Sequence, residues 1–431
     1  MKHVWKPLCM VAMTLILLTA VGGAALAAST EEAPVSPALS IISKDLALVK
    51  SGLCGREISF AASDFEEALG IASLDYITVR TVPSAAMGKL MLGSLQVMPN
   101  QTVSAANLSA LRFVPNGSVE GRAEFLFCGD DSCSYEVACT LYMQSELNYA
   151  PTFVGIDKEE FSVETYKNIA VYGTLPAEDP EWDKLRYEIT STASKGLLVM
   201  LDREQGRFVY TPMKNYTGTD RFTYTVTDEY GNRSEEKEMK ITVGRSKKST
   251  VFSDMIGNEG HLGAIRLYEA GIMDAKEEGA SAVFHPTGEV SRVEFLVMAM
   301  KAEGITPDGD GNLSGVFADE KEIPKEYRPY VKTAYEKGYL AVGVKEGEAV
   351  ALKPNEALSR AEACVILCSI LEAEATVSRP AFEDDGEIPS WAKEAIYTLE
   401  DRGILLDGDS FAYPNRTLTR EMTAVMLNAL L

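Results

Sequence analysis

Three arginines, Arg292, Arg360 and Arg420, each stand six residues after a proline, at Pro286, Pro354 and Pro414, and each opens an apolar run of helical spacing. A guanidinium presents five N–H donors in a planar fork that matches a carboxylate. The first turn of a helix adds unpaired backbone N–H groups, which favour an anion. A cation at that end is itself mildly unfavourable, by up to ~1 kcal/mol. The pattern therefore calls for a negative partner, either a carboxylate on an external ligand or an acid of the chain. The internal candidates are Asp254, Asp319 and Asp384, which lie in the openings FSDM, FADE and FEDD of three similar stretches. Both uses satisfy the same chemistry.

Other residues around the arginines have a structural reading. Ser291 with Glu294, and Ser359 with Glu362, have the S-x-x-E spacing of a capping box. The third copy places Thr419 at the cap but has Met422 where the glutamate would stand. Trp391 begins the first helix of the third copy, where the other copies have Glu259 and Glu326. It is suited to stacking on a sugar face or to packing between repeats, and packing is the preferred use.

Elsewhere, Asp179, Asp183, Asp220 and Asp228 are calcium candidates, although turn and strand-edge roles account for them and EF-hand spacing is absent. No other cofactor is expected. Cys54, Cys128, Cys133 and Cys139 predict a disulfide of undetermined pairing, with metal binding by the last three a weaker alternative. Cys364 and Cys368, four apart on an apolar helix, read as core thiols. No G-x-S-x-G or H-E-x-x-H motif occurs, and residues 28–250 contain no histidine. The expectation is a protein that is not an enzyme. The alternative places a carboxylate-pair hydrolase or a glycan-binding function in 28–250.

These residues sit on a chain whose pattern changes near residue 247. Beyond it, Phe252, Phe317 and Phe382 recur at a spacing of 65, and each opening leads to a helix ending at Gly271, Gly338 or Gly403. A fixed period of helix–loop–helix units predicts repeats that bury their apolar faces on one another. Before it, short alternating strands punctuated by turns predict β-sandwiches. Phe222, Tyr224 and Val226 alternate with Thr223, Thr225 and Thr227, for one buried and one wet face, and residues 230–232 form the turn. A faint duplication relates 76–92 to 187–201 and 111–127 to 208–224.

The run FVYTPMKNYTGTDRFTYTVTDEYGN, 208–232, resembles the signature of bacterial cadherin-like and Ig-like repeats, over roughly 150–244. The three later units resemble S-layer homology repeats throughout 251–431, through their F-x-D openings and the SRVE, SRAE and TREM segments. That second resemblance implies a pseudo-three-fold helical trefoil that binds secondary cell-wall polysaccharide, often pyruvylated, in grooves between repeats. It assigns Arg292, Arg360 and Arg420 to the glycan, with Asp254, Asp319, Asp384 and Trp391 as further glycan-site candidates and Ser291, Glu294, Ser359, Glu362 and Thr419 as caps. The departures at Met422 and at Glu259 and Glu326 imply that one or two grooves do not bind.

The expected class is multidomain: N-terminal β-sandwiches followed by an all-α three-repeat module. The expected division is a signal peptide 1–27, a divergent sandwich 28–148, a cadherin-like sandwich 149–244, a linker 245–250, and repeats 251–313, 314–378 and 379–431. Lys2, Lys6, an apolar core and Ala25-Leu26-Ala27 form the export pattern, and no other stretch is apolar enough to span a bilayer. The formal charge of −22 falls to −24 without Lys2 and Lys6, which argues against nucleic acid as a partner. The expected location is the wall or surface layer of a Gram-positive-type bacterium, with surface-layer neighbours as possible partners.

Overall fold

The computed structural model describes residues 47–117, 120–129, 133, 135–153, 161–248, 251–278, 281–307, 309, 311–313, 315–340, 350–374, 382–405 and 411–431. The expected signal segment and its cleavage site lie outside them. Among the described residues no helix is long and apolar enough to cross a membrane.

Two β units come first. The first has strands β1 (Ala47–Leu53), β2 (Ile58–Ser59), β3 (Tyr76–Val79), β4 (Gly88–Leu92), β5 (Leu95–Gln96), β6 (Gln101–Ser104), β7 (Leu111–Pro115), β8 (Gly121–Cys128) and β9 (Val137–Gln144), with helix α1 (Ala62–Leu69). One sheet runs β1-β9-β8-β3-β6 and the other β2-β7-β4-β5. The second unit has β10 (Phe161–Tyr166), β11 (Val171–Thr174), β12 (Leu185–Ser191), β13 (Gly196–Asp202), β14 (Arg207–Pro212), β15 (Gly218–Asp228) and β16 (Lys237–Gly244). Its sheets are β10-β16-β15-β12 and β11-β14-β13.

The two orders correspond strand for strand, and each unit pairs its first strand parallel to its last. The duplication visible in the sequence is thus a duplication of topology. Helix α1 and strands β5 and β6 are additions of the first unit, which keeps a separate core around Phe65, Phe113, Phe125 and Phe127. In the second unit Phe222, Tyr224 and Val226 are buried as the alternation predicts. Thr225 departs from its expected wet face. It is buried because Arg233 lies over it, donating from Nε and Nη2 at 3.0 and 2.8 Å.

Among the described residues six α-helices follow: α2 (His261–Glu269), α3 (Arg292–Ala302), α4 (Arg328–Glu336), α5 (Arg360–Ile370), α6 (Ser390–Asp401) and α7 (Arg420–Asn428). Gly271, Gly338 and Gly403 end the first helix of each repeat at φ 69°, 76° and 68°, a conformation that favours glycine. The expectation of an all-α module is not met throughout, because a two-stranded hairpin, β17 (Lys276–Glu278) and β18 (Ser281–Val283), follows α2. The repeat core is continuous with that of the second β unit. Residues 245–248 of the expected linker are pinned there, since Ser246 Oγ and the Lys248 amide donate to Glu269 Oε1 at 2.7 and 2.9 Å.

A disulfide joins Cys128 to Cys133. Cys54 and Cys139 are free, so the alternative of a metal held by Cys128, Cys133 and Cys139 does not fit the bonded pair. Cys364 is fully buried in α5 and Cys368 partly so.

Candidate functional site

The segments that lead into the second helices join in a closed ring. The Val290 amide donates to Leu418 O, the Leu418 amide to Leu358 O, and the Leu358 amide to Val290 O, at 2.7–3.1 Å. One residue pair further on, Arg292 N donates to Glu356 O, Arg360 N to Arg416 O, and Arg420 N to Gly288 O. The helix-start amides are therefore used between repeats, which leaves side chains to meet any ligand.

The caps form as the spacing predicts. Ser291 Oγ accepts from the Glu294 amide, Ser359 Oγ from that of Glu362, and Thr419 Oγ1 from that of Met422. The first two glutamates return the bond to their cap amides at 2.9 Å.

Asp254, Asp319 and Asp384 have a different task from the ion pair that was the alternative to an external ligand. Each carboxylate spans two consecutive loop amides of its own repeat: 284 and 285, 352 and 353, 412 and 413. The second residue of each pair has positive φ, 58° at His285, 55° at Lys353 and 44° at Tyr413. The acid holds a strained turn that points both N–H groups one way. Burial alone would raise the Asp254 carboxyl, but the amide bonds outweigh it and hold it below the usual carboxylate range.

Arg292 and Arg420 instead reach into the next repeat of the ring. Arg292 donates from Nη1 to the Leu352 and Lys353 carbonyls at 3.1 and 3.0 Å, and from Nη2 to Glu362 Oε1 at 2.6 Å. Burial, which would raise Glu362, is overcome by the Ser359 amide and by Arg292, so its carboxyl sits low. Arg420 donates to Phe284 O and to both the carbonyl and carboxylate of Asp274, with its guanidinium 4.6 Å from the Phe284 ring centre. Asp274 carries no motif that marks it; only its position after the helix-ending Gly271 could have suggested it.

Both arginines open on cavities. The Arg292 groove, about 440 Å³, is lined by Glu362, Val365, Ile366, Lys353 and Trp391. The expectation that Trp391 packs between repeats does not hold, for the residue is 58% exposed at the groove edge. The Arg420 groove, about 380 Å³, is lined by Asp274, Glu294, Lys301, Tyr327, Lys248 and Tyr268. Arg292 and Arg420 retain 16% and 21% side-chain exposure.

Arg360 differs. It is 2% exposed, and its neighbour in the place of Glu362 is the buried Met422. Glu259, aligned with Trp391, takes both oxygens to Arg207 of the second β unit at 3.2 Å. That unit lies against α2 and α7 here, with Ser162, Val163 and Tyr172 facing Glu259 and Val425 across a cleft.

The four aspartates of the β region separate. Asp220 accepts the Ser194 and Lys195 amides and the Tyr210 hydroxyl. Asp179, Asp183 and Asp228 come together at one end of the second unit.

Comparison with known proteins matches residues 148–245 to the bacterial cadherin-like domain and residues 316–364 to the S-layer homology domain. A stretch of 198 residues is 27% identical to the exoglucanase XynX of Acetivibrio thermocellus, covering 44% of this chain and 17% of that protein. Over 166 residues the chain is 27% identical to the surface-layer 125 kDa protein of Lysinibacillus sphaericus, covering 38% of this chain and 13% of that protein. The chain thus spans less than a fifth of these curated relatives. Among solved structures, Drosophila N-cadherin EC1-3 is similar at 14% identity and a TM-score of 0.22, over 46% of this chain and 63% of that one. The chain carries a bacterial cadherin-like domain and an S-layer homology domain.

Proposed function

We propose that this is an exported surface protein held non-covalently on the secondary polysaccharide of a Gram-positive-type cell wall. In this reading the three repeats form a pseudo-three-fold trefoil, divided from the β domains at residues 245–250. Two of its grooves, at Arg292 and Arg420, take acidic sugar groups such as a pyruvyl acetal. The observation that carries the reading is the pair of equivalent arginines lining open inter-repeat cavities. Among the described residues each uses three of its five donors within the protein, so in this reading two serve a carboxylate. Exposed Trp391 supplies a stacking face in one groove, and Tyr327 and Lys301 supply an aromatic edge and a charge in the other.

The Arg360 position does not serve as a third site in this reading. Its arginine is buried, its acid is replaced by Met422, and the cadherin-like domain occupies the adjoining face. The β domains project from the wall in structural or adhesive roles, with surface-layer neighbours as further partners, and the chain is not an enzyme.

Sedimentation of the full chain with wall sacculi, either intact or stripped of polysaccharide by acid, tests this. Binding should require the polysaccharide. Arg292→Ala, Arg420→Ala and Trp391→Ala should each weaken it, Trp391→Ala without loss of thermal stability. Equal binding to both preparations, or to neither, overturns the reading. The 27% identity to an exoglucanase over 198 residues keeps a carbohydrate-active alternative in view, and glycoside hydrolysis by the same protein would support it.

A further inference from the structure

We propose that strand β13 of the cadherin-like domain is a docking edge, on which a second copy of this chain pairs its own β13 in antiparallel fashion.

The two β units finish this sheet differently. In the first unit β4 lies between β7 and β5, and β5 covers its outer edge by pairing Met91 with Gln96 and Leu92 with Leu95. The Val97 amide extends that cover to Leu90 O at 2.9 Å. Strand β13 takes the place of β4 in the second unit, and the two begin alike, GKLML and GLLVML. Nothing takes the place of β5. Among the described residues β13 pairs with β14 alone, and the Tyr187 amide meets the Arg203 carbonyl at 2.7 Å just past the strand's end. One side of Gly196–Leu201 therefore presents a row of backbone donors and acceptors ready for another strand.

Exposed edges are ordinarily blunted by charge, proline or a bulge. Strand β12, the edge of the other sheet on this side, follows that rule with exposed Arg186 and Glu188. Strand β13 carries no charge from Gly196 to Leu201, and its register shift comes late, between Met200 and Asp202. Leu198 and Met200 pack on the core, so Leu197 and Val199 turn to the other face. Leu197 is 63% exposed, Leu201 43%, and Met213, whose amide bonds Lys195 O, 55%. The repeats lie on the opposite edge. There the Tyr172 hydroxyl of β11 donates to Gly257 O, and Arg266 Nη2 to Glu164 O of β10. The apolar strip along β13 is left open.

Charge selects the occupant. The chain carries a formal charge of −22, so two copies repel except where neutral stretches meet. The two ends of this edge differ in sign. Exposed Lys195 and Lys214 stand at one, Asp202 and exposed Glu204 at the other, while Arg203 lines the cavity beside the first β unit. Antiparallel pairing about a two-fold axis sets the lysine end of each copy against the acidic end of its partner, twice over. Parallel pairing would set like against like. So short an edge supports a weak, reversible dimer. The proposal does not depend on wall binding.

Sedimentation equilibrium of the full chain at low ionic strength, with amide hydrogen exchange at residues 196–201, tests this. The expected result is a monomer–dimer equilibrium in which exchange at 196–201 slows as concentration rises. Leu197→Lys places two added cations near the axis and should weaken association by roughly tenfold or more. Leu95→Lys, at an exposed leucine of β5, should not. Lys195→Glu should also weaken association, and adding Glu204→Lys should restore it. Leu197, Lys195 and Glu204 are exposed, so these variants keep the fold, which an unchanged thermal midpoint checks. A chain that stays monomeric up to roughly millimolar concentration overturns the proposal. Slow exchange at every concentration would then mean that the chain covers the edge itself, and fast exchange that the edge stays bare. A dimer unaffected by both Leu197→Lys and Lys195→Glu pairs elsewhere and overturns it equally.

Discussion

Arg292 of the first repeat donates to Glu362 of the second at 2.6 Å, and Glu362 accepts from the cap amide of Ser359 in the same geometry. One carboxylate thus closes a helix cap and bonds two repeats together. The equivalent acid of the first repeat, Glu294, caps its own helix, while Arg420 uses Asp274 instead.

Removing that carboxylate should loosen the first-to-second repeat contact. Glu362→Ala deletes half a capping box and a part-buried ion pair, for an expected loss of about 1–3 kcal/mol. Calorimetry of the full chain should show a lower thermal midpoint. Glu356→Ala, whose carboxylate meets the exposed Lys353 ammonium, should change it little.

The strained turns make a paired prediction. Asp319→Ala removes the acceptor of two loop amides and should cost about 1–3 kcal/mol. Lys353→Gly, at φ 55°, relieves a left-handed backbone that costs a side-chain-bearing residue ~1–2 kcal/mol, against ~0.5–1 kcal/mol of added chain entropy. It should therefore be neutral or mildly stabilising in chemical denaturation, whereas Lys353→Ala gives no gain.

Helix α2 meets α7 across Gly263, where an added Cβ would sit 2.4 Å from the Ala424 carbonyl oxygen. Gly263→Ala raises helix propensity yet must push the two helices apart. The clash should win, lowering stability by about 1–3 kcal/mol, and the third-to-first repeat junction should become the earliest to exchange its amide hydrogens.

His261 gives the acid response a distinct upper limb. Burial holds its pKa below the ordinary histidine value, against a smaller pull from Asp254. With the folded value depressed, the native state resists the proton. This contribution is fully present above the unfolded value of about 6.5, and is lost as pH falls through the lower folded value. Glu362, also depressed, adds a second loss only below about 4.3. Thermal midpoints measured from pH 7.5 to 5 should decline in the natural chain and flatten in His261→Leu.

Much of the architecture is legible in the chain because it is written in local, periodic signals. The 65-residue spacing of Phe252, Phe317 and Phe382, the glycines after α2, α4 and α6, and the capping boxes at Ser291 and Ser359 all act within a few residues. So do the alternations of β15, and the faint duplication survives as matching strand order. Which groups meet across the fold is not a local property. Arg292 chooses Glu362 over Asp319 because Asp319 is already held by the amides of its own strained loop. Arg420 finds Asp274 because ring closure places the third repeat against the first. Met422 was visible as a broken cap, but the burial of Arg360 exists only in the folded repeats, and the docking of Arg207 on Glu259 required the β domain to be packed against that face. Four aspartates of the β region looked alike in sequence. Chain reversal between β12 and β15 gathers three of them and sends Asp220 to Tyr210, since contact order, unlike periodicity, exists only once the sheets have paired.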